Sequence, residues 1–186
     1  MERCLVPPRA NWQARVEAEG MLWHSAHGVP YWHEGAAYRF TEAEIEQIHE
    51  ATQACHDMAL SAVGAIIEGG ELAQFGYGAE AIALIERSWQ THERDIYGLI
   101  DLAYDGVNPP KMLEYNADTP TSLLEGAVVQ WTWLTDTAGA DATNQYNDIH
   151  RALVDRMQTL KAERDAGLLG VRQRGAPLHV ACVFPH

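Results

Sequence analysis

Asp101, Glu114 and Asn116 are the residues whose types and spacing point most directly to chemistry. Asp101 lies in the run Ile100-Asp101-Leu102-Ala103-Tyr104-Asp105-Gly106, and Glu114 opens the run Glu114-Tyr115-Asn116-Ala117-Asp118-Thr119-Pro120-Thr121-Ser122. The pattern predicts a strand over residues 101–104, a turn at Asp105-Gly106 and a returning strand over 112–115. Strand side chains alternate between faces, so Glu114 and Asn116 share one face while Tyr115 takes the other. Asp101 can reach that face from the neighbouring strand. Three converging oxygen donors suit a hard cation such as Mg²⁺. The plainer reading of the same residues is solvated turn chemistry, since Asn and Asp also bond their own backbone. Thr119 and Thr121 can cap the helix that follows, whose N-terminus would offer N–H groups and a positive dipole to an anionic substrate.

The stretch over residues 97–124 resembles the glutathionylspermidine synthase family, whose members join glutathione to a polyamine at the expense of ATP. Weaker similarity extends to Glu2-Arg3, Trp12, Pro30-Tyr31-Trp32 and Trp131-Thr132-Trp133-Leu134. The resemblance implies an ATP-grasp fold, bound Mg²⁺–ATP and a carboxylate–amine ligase reaction. By position it makes Asp101, Glu114 and Asn116 the metal ligands. Thr119 and Thr121 become the hydroxyl residues that hold a glutathione-like peptide, with a polyamine as second substrate. The chain departs from the family at Leu99, where an arginine normally stabilises the transferring phosphoryl group; leucine offers neither charge nor hydrogen bond. The family's nucleotide-gripping lysines would lie beyond His186. The expectation is therefore a partial synthetase, one domain over residues 1–186, inactive by itself. The alternative is a non-catalytic metal- or peptide-binding module derived from the same fold.

Bulk properties limit the other classes. A chain of 186 residues can bury one core of ordinary size. A net charge of −13 disfavours nucleic acid, whose phosphates are bound by lysine and arginine, and leaves room for a cationic partner. Cys4, Cys55 and Cys182 are odd in number and far apart, so neither a disulfide framework nor a zinc site is expected. No apolar run has the length of a signal peptide or a membrane span, which makes a reducing cytoplasm the default. His24 and His27, or His49 and His56, lack a carboxylate at ligand spacing. No Gly-x-Ser-x-Gly elbow and no Gly-x-x-x-x-Gly-Lys loop occurs. Cys55, Trp131 and Trp133 read as packing residues.

The expected elements form a mixed α/β fold, a partial ATP-grasp-like arrangement with helices packed on short strands. Residues 31–33 and 36–40 suggest an irregular hairpin. Thr41-x-x-Glu44 is a capping box that opens a helix, and Gly69-Gly70 closes it. Its apolar stripe is Ile45, Ile48, Thr52, Cys55, Ala59, Ala62 and Ile66. A second helix is expected over 79–91, with Ile82, Ile85 and Trp89 inward. A third should run from Thr121 or Ser122 to about residue 135, followed by a loop over 137–143. A fourth should cover 144–166, with Ile149, Leu153, Met157 and Leu160 inward, broken by Gly167 and Gly170. Residues 178–184 read as a buried strand.

Overall fold

A computed structural model describes residues 1–138 and 145–169. Its elements are mixed α and β, as the pattern predicts, and the chain divides into two compact units. The first comprises residues 1–60 and 97–150, the second residues 61–96 and 151–186.

In the first unit, strand β1 (Glu2–Leu5) pairs antiparallel with β4 (Ala36–Arg39), Glu2 opposite Arg39 and Leu5 opposite Ala36. Between them come helix α1 (Trp12–Ala18) and the two-residue strands β2 (Ser25–Ala26) and β3 (Val29–Pro30). The hairpin expected from residues 31–40 is thus replaced by two pairings. Its second arm finds a partner some thirty residues upstream, a long-range choice that local alternation cannot reveal. The core is small: Val16, Met21 and Val129 are fully buried, and Trp12, Trp32 and Leu124 pack against them.

Helix α2 (Glu42–Glu68) begins with the predicted capping box. The Thr41 N–H donates to Glu44 Oε2 at 2.7 Å, and the Glu44 N–H donates to Thr41 Oγ1 at 3.3 Å. Glu44 also receives the chain's amino terminus. The expected stripe is half-buried from Ile45 to Ala59, but Ala62 is exposed; the inward position there is Gly64. That glycine lies in the second unit against the Trp89 indole of α3 (Ala79–Gln90), on which Ile82, Ile85 and Trp89 are half-buried as expected.

After α3 the chain returns to the first unit as strands β5 (Leu99–Ala103) and β6 (Lys111–Asn116), an antiparallel pair. Helical structure then starts at Leu123, passes through a π-helical stretch, Glu125–Val129, and continues as α4 (Gln130–Ala138). Thr137 and Ala138, expected in a loop, are still helical, and residues 139–143 of that loop lie outside the described residues. Helix α5 (Ile149–Asp165) starts later than residue 144 because the Asn147 side chain accepts the Ile149 N–H at 3.3 Å and so caps it. Leu160 is buried, and Ile149, Leu153 and Met157 are half-buried as the spacing predicts. Gly167, at φ +76°, ends the helix, with the Leu168 N–H donating to the Glu163 carbonyl at 2.9 Å. The strand expected over 178–184 and the second breaker, Gly170, lie outside the described residues, as does Cys182. Cys4 and Cys55 are free thiols. No helix among the described residues is long and apolar enough to cross a membrane.

Candidate functional site

The β5–β6 pair sets the geometry of the predicted residues. Asp101 lies directly opposite Glu114, and Leu99 opposite Asn116. Residues facing each other across an antiparallel pair project to the same side, with Cβ atoms about 4.5–5.5 Å apart. One face of this ribbon therefore carries Leu99, Asp101, Glu114 and Asn116, while Ile100 and Tyr115 share the other. Asp101 and Glu114 are exposed and Asn116 is half-buried. Neither carboxylate makes a hydrogen bond or an ion pair among the described residues. No group of three or more His, Cys, Asp or Glu side chains among the described residues could hold a metal ion. The oxygen donors brought together are two carboxylates and one amide, a hard set that fits a cation retaining other oxygen ligands.

The ribbon departs from regular pairing just beyond the site. Leu102 faces Met112, so Leu113 is an extra residue on β6, a bulge. Sequence alternation had no signal for it. The turn is built by Asp105, whose carboxylate accepts the Val107 and Asn108 N–H groups at 2.9 and 2.7 Å and the Asn108 amide at 2.6 Å. These donors, Asn108's above all, lower the Asp105 carboxyl to about 2. Gly106 sits in the left-handed region at φ +84°. On the opposite face the Tyr115 hydroxyl lies 2.7 Å from His56 Nδ1 of α2. An open cleft lined by Glu44, Glu46, Glu50 and Tyr104 does not include Asp101 or Glu114.

Thr119 and Thr121 are exposed in the loop between β6 and the helical segment. Neither side chain caps that helix. The Ser122 carbonyl instead accepts the Gly126 N–H at 3.1 Å, and Ser122 itself is held at φ +65°. Such a conformation is uncommon for a residue other than glycine and persists only when its surroundings fix it. Here the Tyr97 hydroxyl donates to the Thr121 carbonyl at 2.8 Å. Trp23 Nε1 and the Tyr31 hydroxyl donate to Glu125 Oε1 at 3.1 and 3.0 Å. Burial, reinforced by Glu125, pushes both the Tyr31 and the Tyr97 hydroxyl up, so both remain donors at neutral pH. Tyr31 and Tyr97 lay within the similar segments, but neither they, Trp23 nor Glu125 carried a motif that sequence reasoning could use.

A second polar network holds α4. Glu34 accepts Arg9 Nε at 2.6 Å and Trp32 Nε1 at 2.7 Å, and Arg9 and Arg15 both donate to Asp136, at 2.8 and 2.7 Å. Burial lowers the affinity of the Arg9 guanidinium for its proton, but Glu34 and Asp136 more than offset this, and its pKa is raised. Trp133 donates to the Glu34 carbonyl at 3.4 Å and serves as packing, as expected, whereas Trp131 is largely exposed.

The family described as Glutathionylspermidine synthase preATP-grasp matches residues 3–184. A Haemophilus influenzae protein named "Putative acid–amine ligase" is 44% identical over 139 residues, covering 75% of this chain. The matched region is 35% of that relative, so this chain spans about a third of its length.

Proposed function

Because the chain belongs to the glutathionylspermidine synthase preATP-grasp family, we propose that it is part of an ATP-dependent acid–amine ligase. The proposed substrates are the glycyl carboxylate of a glutathione-like peptide and a polyamine such as spermidine. ATP would transfer its terminal phosphoryl group to the carboxylate, giving ADP and an acyl phosphate. The amine nitrogen then attacks the acyl carbon, the C–N bond forms, and phosphate leaves with the bonding pair. The amine's proton passes to solvent.

The observation that carries this reading is the placement of Asp101 opposite Glu114, with Asn116 on the same face and both carboxylates exposed and unpaired. In the proposal these three side chains hold Mg²⁺, which when bound shields the phosphate charge. The exposed Thr119 and Thr121 offer hydroxyls to the peptide, and the Tyr97 bond to the Thr121 carbonyl fixes the backbone from which Thr121 projects. A second reading, a binding module without turnover, is favoured by Leu99. It stands on the site face opposite Asn116, where an apolar side chain gives a phosphoryl group no charge stabilisation.

Calorimetric titration with Mg²⁺, alone and with ATP, tests the ligand assignment on native protein and on Glu114→Gln. Removing one carboxylate from an ion held by two should lower Mg²⁺ affinity by about tenfold or more. Identical heats in the two proteins would remove Glu114 from the ion's ligands. Nucleotide-dependent Mg²⁺ heats support the ligase; Mg²⁺ binding indifferent to ATP supports the binding module.

A further inference from the structure

Two carboxylates of the first unit are embedded in similar aromatic surroundings and are treated differently. Glu34 is buried beside Trp32 and is neutralised by Arg9. Glu125 is half-buried, receives Trp23 and Tyr31 on one oxygen, and has no Lys, Arg or His ion pair among the described residues. Its Oε2 makes no hydrogen bond there. Two neutral donors offset only part of what it costs to withdraw a carboxylate from water. A cation supplied from outside would complete the arrangement.

The residues around Glu125 specify what kind of cation. Trp23 and Tyr31 turn their polar edges to the carboxylate, yet the residues remain 47% and 54% exposed. Exposed aromatic rings beside a carboxylate attract cations through the negative ring face and cover apolar stems. We propose that Glu125, Trp23 and Tyr31 form a receptor for a primary alkylammonium group, with Glu125 Oε2 accepting an ammonium N–H and the rings flanking the methylene chain. Glu125 follows Thr121 by four residues, and the Tyr97 hydroxyl joins the two positions by bonding the Thr121 carbonyl while feeling the Glu125 charge. An amine held here lies beside the loop assigned to the peptide. That this amine is the acceptor substrate rests on the ligase reading, whereas its binding does not.

The test follows the tryptophan indole N–H resonances of the ¹⁵N-labelled full chain during titration with spermidine, and separately with n-butylammonium, at about 0.15 M salt. The Trp23 signal is assigned from its loss in Trp23→Phe. The expected result is a saturable shift of that signal with either amine. Glu125→Gln, which keeps acceptors for Trp23 and Tyr31, should weaken binding by about ten- to a hundredfold. Tyr31→Leu, with the carboxylate and the Trp23 reporter intact, should weaken it several-fold and serves if the first variant fails to fold. Glu50→Gln removes the same charge from the exposed side of α2 and should leave affinity unchanged. Unaltered binding in Glu125→Gln overturns the receptor, as does an equal loss in Glu50→Gln, which would mean that the amine reads only net charge. Because Mg²⁺–ATP binding at Glu114 is measured separately, failure of the receptor leaves the ligase reading standing, and the reverse also holds.

Discussion

Replacing Glu34 exposes how strongly the charged network anchors the helix that follows the site loop. The Arg9 and Glu34 side chains are only 6% and 3% exposed, and they meet at 2.6 Å. Removing one partner of a buried pair generally costs about 3–5 kcal/mol, because the other charge is left without compensation. Two features place Glu34→Gln at the low end of that range. Asp136 still accepts Arg9 Nη1 at 2.8 Å, and the glutamine carbonyl can still accept the Trp32 indole. A loss of about 3 kcal/mol corresponds to a fall in Tm of about 6–12 °C for a chain of this size. Glu34→Ala loses the acceptors and the packing together and belongs near 5 kcal/mol. The double variant Arg9→Met/Glu34→Leu removes both charges and should recover most of the deficit, since buried ion pairs rarely outperform well-packed apolar residues. Urea titration followed by far-UV circular dichroism measures all three. A Glu34→Gln protein within about 1 kcal/mol of native, or a double variant less stable than Glu34→Gln, would refute the reasoning.

Two further substitutions probe the ribbon and the second unit. The Asp105 carboxyl is lowered from 3.8 to about 2 by the donors of its own turn, so its contribution is complete above about pH 4 and is lost as pH falls through about 2. The Tm difference between native protein and Asp105→Ala should therefore shrink between pH 4 and pH 2, and a gap constant over that range would contradict the assignment. Gly64→Ala should fail to stabilise α2 although alanine favours a helix by about 1 kcal/mol. Its Cβ would stand 3.0 Å from Trp89 Cζ2, and overpacking of this kind costs about 1–3 kcal/mol. Thermal melts decide the sign, and a gain of about 1 kcal/mol would show that the indole moves aside freely.

What the sequence made legible was local. The capping box at Thr41 and Glu44, the inward positions of α3 and α5, and the Asp105-Gly106 turn all follow from spacings of a few residues, and each is present. What it hid was non-local or one-residue fine structure. The partner of β4 is the chain's own second to fifth residues, and no pattern within residues 31–40 could name it. The later start of α5 turns on a single side-chain cap, Asn147. Glu125 carries no sequence signal because a lone glutamate after a capping loop reads as an N-terminal helix residue, and only the fold brings Trp23 and Tyr31 to it from about a hundred residues away.

The candidate site depends on pairing register more than on any one side chain. Alternation along β6 suffices to put Glu114 and Asn116 on one face, but Asp101 joins them only if it falls opposite Glu114. A slip of one residue would turn it to the face of Tyr115. Two devices in the ribbon oppose such a slip. Asp105 ties the turn to Val107 and Asn108, and the extra residue Leu113 absorbs the mismatch between that turn and the regular pairing of residues 99–101 with 114–116. Leu113 is 71% exposed, so no burial demand keeps it where it is; its place follows from the lengths on either side. The bulge thus lies on the loop side of Asp101, where it can re-aim residues 111–113 without disturbing the three pairs that carry the site.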